Sequence, residues 1–193
     1  MPEPVPARHG VVVLAAGRSR RLGQLKQLLS VDGETLVHRA VRMALRTGPL
    51  DCVVVCGPEP EPVAASVADL ACRRVICADA DLGLSASLRC GLCELDAHCE
   101  GVLVLLTDQP ELDAAHLQAL RDAWLADPAG AAASGYGGTL GVPALLPRSW
   151  FGLLIDGTGD TGARELLRAR QDRVQVLPAP QLERDIDCQG DLE

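Results

Sequence analysis

The sequence predicts an α/β protein built on a mainly parallel sheet, and three observations carry that expectation. Apolar runs alternate along the chain with amphipathic stretches of helical period, the order that builds parallel strands joined by right-handed crossovers. The first run, residues 11–16, contains no polar side chain, as expected of a strand buried on both faces. The composition is aliphatic: 48% of the 193 residues are hydrophobic but only 2% are aromatic, so Val, Leu, Ile and Ala must fill the core. This length suffices for one well-buried domain and is short for two, so residues 1–193 are expected to form one domain. Residues 1–8, with Pro2, Pro4 and Pro6, read as a flexible arm.

Each element follows from local pattern. After the first strand and a basic loop, residues 35–46 have an amphipathic helical period that closes at Gly48-Pro49. Residues 52–56 form a second buried strand ended by Gly57-Pro58, and a short helix is expected near 63–71. Residues 74–77 read as a third strand and 85–96 as a helix. Residues 101–107 form a fourth strand, almost free of polar groups and therefore expected at the centre of the sheet. Asp113 can cap a helix that runs to Ala126 and stops at Asp127-Pro128. Residues 131–147 are rich in Gly and Ala with weak alternation, which reads as a strand pair inserted on the substrate side. Helical patterns at 149–155 and 161–170 lead to a last strand at 174–177.

Charge and cysteine placement exclude several classes. A net charge of -8 opposes general affinity for a nucleic-acid backbone, which needs a broad excess of Lys and Arg. The eight cysteines lie mostly inside apolar periodic segments, and Cys90-x-x-Cys93 falls within a helical pattern with no second pair at zinc-ribbon spacing. Reduced thiols in a cytoplasmic protein are expected. No apolar run approaches the length that crosses a bilayer, and no secretory leader pattern is present, so no membrane is expected as a partner. His9, His38, His98 and His116 share no spacing and read as surface or core residues.

The chemistry is concentrated where the first strand ends. At Gly17 the apolar run gives way to a basic loop, Arg18-Ser19-Arg20-Arg21-Leu22-Gly23-Gln24-Leu25-Lys26. Ligands gather at the carboxyl ends of parallel strands. There Gly17 and Gly23 let backbone N–H groups approach phosphate oxygens, and Arg18, Arg20, Arg21 and Lys26 supply countercharge. Five residues separate the two glycines and no Gly-Lys-Ser/Thr follows, which excludes the ordinary P-loop; no Gly-x-Gly-x-x-Gly for a nicotinamide cofactor is present either.

The fourth strand ends at Asp108-Gln109-Pro110, which places a carboxylate at the same sheet edge as the basic loop. Mg²⁺ binds through one or two carboxylates plus phosphate oxygens, so Asp108 can anchor it, and Mn²⁺ accepts the same oxygen ligands. In Glu183-Arg184-Asp185-Ile186-Asp187, alternation points the two aspartates the same way, and Asp185 can complete the metal shell if the segment folds back under the site. Two Gly-rich helix entries remain, at 83–88 and 157–164. Ser85 and Ser87 can hold a base edge or phosphate, or serve as N-caps; Asp160 and Arg164 can bind the acceptor or pair on a helix surface.

Taken in order, these motifs resemble the nucleotidyltransferase family that includes molybdenum cofactor cytidylyltransferase and the related guanylyltransferase. The resemblance rests on Leu14-Ala15-Ala16-Gly17, Ser19, Arg21, Gly23 and Lys26; on Gly83, Ser85, Ser87-Leu88 and Gly91; and on Asp108-Gln109-Pro110. It continues through Gly141 and Pro143, Gly159-Asp160, Gly162-Ala163-Arg164 and Asp185-Ile186-Asp187. It implies a Rossmann-like three-layer sandwich of the nucleotide-diphospho-sugar transferase type. It further implies that Leu14, Ala15, Ala16, Gly17, Ser19, Gly23, Ser85 and Ser87 bind the nucleotide and that Arg21, Lys26 and Asp108 carry catalysis. By the same resemblance Asp108 and Asp185 bind the metal, and Asp160 and Arg164 meet the acceptor.

Ala16 stands where guanylyl enzymes usually carry a second Gly, which resembles the cytidylyl branch and points to CTP rather than GTP. Val142 stands where relatives often carry His, so the acceptor side departs from the family pattern. The implied reaction is attack of the terminal phosphate of molybdopterin on the α-phosphate of CTP with loss of pyrophosphate, and an apo-molybdoenzyme would receive the product. Rival readings are transfer to another phosphorylated acceptor such as a sugar phosphate, a non-catalytic molybdenum cofactor carrier, and a nucleotide sensor.

Overall fold

The computed structural model describes residues 8–17, 25–159 and 162–183. Nine strands and six α-helices succeed one another along these residues. The strands are β1 His9–Ala15, β2 Ser30–Val31, β3 Glu34–Thr35, β4 Asp51–Cys56, β5 Arg73–Ile76, β6 Gly101–Leu106, β7 Ala131–Tyr136, β8 Thr139–Pro147 and β9 Val174–Pro178. The helices are α1 Leu36–Leu45, α2 Glu61–Ser66, α3 Leu84–Glu94, α4 Ala114–Ala126, α5 Phe151–Ile155 and α6 Arg164–Ala169.

Seven strands form one sheet in the order β5-β4-β1-β6-β8-β7-β9, and β2 and β3 form a separate two-stranded ribbon. Only β8 runs against the others, antiparallel to both β6 and β7. The sheet is therefore mainly parallel, and β6 is its middle strand, as its uninterrupted apolar sequence requires. Alternation along β1 divides the core into two layers. Val11, Val13 and Ala15 pack with Val37, Val41 and Leu117 from α1 and α4, while Val12 and Leu14 pack with Leu88, Leu92 and Leu167 from α3 and α6. Helices on both faces of the sheet make the three-layer α/β sandwich.

Helix ends obey local chemistry. The Thr35 side chain accepts from the backbone N–H of His38 and starts α1, and the Asp113 carboxylate accepts from the N–H of His116 at 2.7 Å and starts α4. Pro62 near the start of α2 sets that helix over Glu61–Ser66, earlier and shorter than the expected 63–71. Gly162 has φ +52, a conformation outside the helix, so α6 begins at Arg164 rather than near 161. The expected helix at 149–155 is a 3-10 turn, Arg148–Trp150, followed by α5.

The segment 131–147 is not an insertion. β8 occupies the fifth position of the main sheet, paired to β6 from Gly101↔Pro147 to Val104↔Ala144, and Leu145 and Leu146 are fully buried on opposite faces. The small residues of β7 that suggested an insertion are core residues: Ala132 and Ala133 are fully buried, and the α4 side chain Trp124 packs in the same layer as Ala132. The last strand is an exposed edge rather than an apolar one, with Val176 46% exposed. Of the expected arm, only Arg8 is among the described residues, and its backbone pairs with Glu100.

The seven described cysteines are free thiols, and no cluster of His, Cys, Asp and Glu among the described residues suits a metal. Burial pushes the Cys52 thiol up to about 12 and the Cys99 thiol up to about 11, which makes both poor nucleophiles near neutrality. No described helix is long and apolar enough to cross a membrane.

Candidate active site

The sheet delivers two chain ends to one place. β1 and β6 are parallel neighbours with Leu14 opposite Leu106, so the turn Ala16-Gly17 and the turn Thr107-Asp108 leave the sheet side by side. Lys26 comes back to this edge from a 3-10 turn, Lys26–Leu28, and its Nζ lies 3.2 Å from Asp108 Oδ2. The other carboxylate oxygen, Oδ1, is buried without a hydrogen-bond donor among the described residues. A buried carboxylate oxygen lacking a donor is costly unless a cation or donor arrives with the ligand.

The backbone at Gly17 is held from beneath. Gln27 is buried and its Nε2 donates to the carbonyl of Ala15 at 2.8 Å and to that of Gly17 at 3.1 Å, bracketing Ala16. A methyl group built on Gly17 would meet none of the described residues within 4 Å, so among them that side of the turn is open to a ligand. On the other flank, a methyl on Gly57 would lie 3.0 Å from the carbonyl oxygen of Ala16, so a side chain there would press on the Ala16 backbone.

Across the opening stands the start of α3. Gly83 has φ +106 and ψ -179, which lets the chain turn into the helix, and it caps α3 without a side-chain hydrogen bond. Neither Ser85 nor Ser87 is therefore the cap. Ser87 faces the opening, whereas Ser85 is tucked under the 157–159 turn, donating its N–H to Gly159 at 3.0 Å while its Oγ is buried without a partner among the described residues.

These pieces enclose a cavity of about 260 Å³ whose wall includes Leu14, Ala16, Gly17, Lys26, Ser87 and Asp108. Six of the expected site residues are thus brought together. Ala15 contributes its carbonyl to Gln27 and turns its side chain to the opposite layer. A second cavity of about 280 Å³ shares Leu14, Leu84 and Leu106 with the first and continues past Val142 to Arg164 on α6. Its floor is aliphatic and its charged groups are Arg164 and Arg168. Arg18, Ser19, Arg20, Arg21, Gly23, Asp160 and Asp185, all expected at the site, lie outside the described residues.

Sequence reasoning missed three contributors. Gln27 was signalled only by being an amide between the leucines of Leu25-Lys26-Gln27-Leu28-Leu29. Gln109 is buried and donates to the carbonyl of Val142 at 3.1 Å, to which the Tyr136 hydroxyl also donates at 2.9 Å; together they fix β8 where it walls the second cavity. Arg168 carries no local pattern that marks it. Neither cavity is lined by a described His or Cys, and His9 and His116 are buried elsewhere.

A Gly-turn and a Lys–Asp pair thus stand together at the carboxyl edge of a mainly parallel sheet, the edge where such sheets collect ligands. The chain belongs to the MobA-like NTP transferase family, whose domain model matches residues 11–174. It is a nucleotidyltransferase on that ground. It is similar to purine catabolism protein PucB of Bacillus subtilis, 32% identical over 83% of this chain and 80% of that protein. It is also similar to a probable molybdenum cofactor guanylyltransferase of Opitutus terrae, 32% identical over 58% of this chain and 53% of that protein.

Among solved structures, Rv0371c from Mycobacterium tuberculosis superposes with TM-score 0.83 at 29% identity, covering 97% of this chain and 96% of that one. A manganese complex of Rv0371c superposes with TM-score 0.75 at 27% identity, covering 90% and 89%.

Proposed function

We propose that this protein transfers CMP from CTP to the terminal phosphate of a molybdopterin-type cofactor and releases pyrophosphate. The observation that carries the reading is the Lys26–Asp108 pair, 3.2 Å apart at the mouth of a cavity floored by the open Gly17 turn. The triphosphate lies over Gly17 with Lys26 and Arg21 against its oxygens, and Ser87 and the other α3 entry residues face its nucleoside. The acceptor approaches through the second cavity, where Arg164 meets its anionic part. One of its phosphate oxygens forms a bond to the α-phosphorus as the bond to the β-phosphate breaks in line, and pyrophosphate leaves with the electron pair. A phosphate is already an anion near pH 7, so no general base is required, in keeping with cavities lined by no described His or Cys.

Asp108 fits a divalent cation, because its Oδ1 is buried without a donor among the described residues, and one carboxylate plus phosphate oxygens and water is the usual Mg²⁺ environment. Bound there, the cation would supply positive charge against the triphosphate oxygens. Rv0371c forms a manganese complex, which supports a divalent ion for this chain and leaves Mg²⁺ and Mn²⁺ both as candidates. Asp185 is the proposed second carboxylate, and Asp160 the proposed partner of Arg164 toward the acceptor.

GTP is the second reading for the nucleotide, favoured by the guanylyltransferase relatives; Ala16 favours CTP. The test is pyrophosphate release from each of the four nucleoside triphosphates in turn, with Mg²⁺ and molybdenum-loaded molybdopterin. Release with CTP alone supports the cytidylyl reading. Release with GTP alone reassigns the base, and silence with all four removes the molybdopterin acceptor.

A further inference from the structure

The second cavity does not end at Arg164. One helical turn further along α6, Arg168 lines the same cavity and also lines a wider groove of about 870 Å³ between the β7–β8 turn and β9. The groove wall includes Tyr136, Thr139, Leu140, Val176 and Pro178, so it is largely apolar. Among the described residues, Arg168 is the one common to the wall of the cavity and the wall of the groove.

Its position is set from the sheet. The Arg168 Nη2 donates to Thr139 Oγ1 at 2.8 Å, and Thr139 opens β8, the strand that carries Gly141 and Val142 into the cavity wall. A guanidinium has five N–H donors, and among the described residues the Thr139 hydroxyl is the only partner of this one, with no carboxylate paired to it. Arg168 is exposed, held by a neutral hydroxyl at the junction of the cavity and the groove, so its remaining donors can meet an acceptor group of a ligand that spans both.

We infer that Arg168 is a specificity-determining residue for the acceptor, positioned by Thr139, and that it meets the part of a phosphomonoester acceptor remote from the reacting phosphate. The acceptor reaches from the transfer site to Arg168 and presents a carbonyl or anionic oxygen to its guanidinium. The inference rests on the nucleotidyl-transfer reading for the location of the acceptor.

The experiment compares wild type with Arg168→Gln, Arg168→Lys and Thr139→Val, measuring Michaelis constants for molybdopterin and CTP separately. Arg168→Gln is expected to raise the acceptor constant about tenfold while that for CTP stays within about twofold; Arg168→Lys restores part of the loss, and Thr139→Val gives an intermediate rise. An unchanged acceptor constant in Arg168→Gln overturns the inference, as does an equal rise in both constants. If wild type releases no pyrophosphate with molybdopterin, the transfer reading fails. Arg168 is then judged by fluorescence anisotropy of neopterin monophosphate. About tenfold weaker binding to Arg168→Gln sustains its role, and equal binding, or none to wild type, overturns it.

Discussion

Lys26 Nζ and Asp108 Oδ2 lie 3.2 Å apart although 82 residues separate them in the chain. Their meeting is a consequence of topology: β1 and β6 are parallel neighbours, so the turns after the two strands emerge at the same edge, and the 3-10 turn at Lys26–Leu28 returns the basic loop across it. The ammonium pairs with one carboxylate oxygen, and the other is buried without a donor among the described residues.

Replacing that carboxylate should separate chemistry from folding. Asp108→Asn is expected to lower kcat by about a thousandfold with the thermal midpoint little changed, since it removes the charge and keeps the shape. Near-normal pyrophosphate release from the folded variant would remove Asp108 from the metal role.

Lys26→Ala should act on the triphosphate. We expect the Michaelis constant for the nucleotide to rise about tenfold and kcat to fall, because a charge-assisted contact to phosphate is lost. Both constants unchanged would show that Lys26 serves Asp108 alone.

Gln27→Leu deletes the two hydrogen bonds that bracket Ala16. The cost is expected at about 1–3 kcal/mol of stability, with weaker nucleotide binding because the Gly17 turn loses its brace. Chemical denaturation and nucleotide titration on the same variant check both parts; a stable variant with normal binding would refute the bracing role.

The acid limb of stability should trace to His9. Its Nε2 lies 2.8 Å from Thr47 Oγ1, and Thr47 uses its own proton on the carbonyl of Ala44, so the neutral ring donates to Thr47. Burial, with the charge of Arg121 second, lowers its pKa from 6.5 to about 4. Because the unfolded chain takes up this proton first, the stabilisation is complete above 6.5 and is lost as pH falls from 6.5 to about 4, a total of about 3 kcal/mol. His116, also lowered by burial, adds the same sign. For His38, burial opposes but hydrogen bonds to Glu34 and Asp69 prevail and raise the pKa, so its stabilisation is full below 6.5 and fades on the alkaline side. Thermal midpoints of wild type and His9→Asn should converge as pH falls through this window, and parallel curves would contradict the assignment.

Much of this was legible in the sequence because it is local. An apolar run with no polar break requires burial on both faces, which placed β6 at the centre; Asp113 before a helical period required a cap, and the structure has one. The carboxyl ends of such strands collect ligands, which put Gly17 and Asp108 together. What escaped depends on distant partners. The small residues of β7 look like part of an inserted strand pair until α4 is seen packed over them, and β8 looks like the other half of that insertion until its pairing with β6 is known. Gln27 and Arg168 are single polar residues whose roles come from where Ala15, Gly17 and Thr139 happen to lie.

Whether nucleotidyl transfer takes place at the Asp108 end of β6 is decided by anomalous diffraction from crystals grown with Mn²⁺ and a non-hydrolysable CTP analogue. A manganese peak bonded to an Asp108 carboxylate oxygen is expected, with the triphosphate over Gly17 and within reach of Lys26. Nucleotide and manganese bound elsewhere, with the Lys26–Asp108 pair untouched, would refute this assignment of the site.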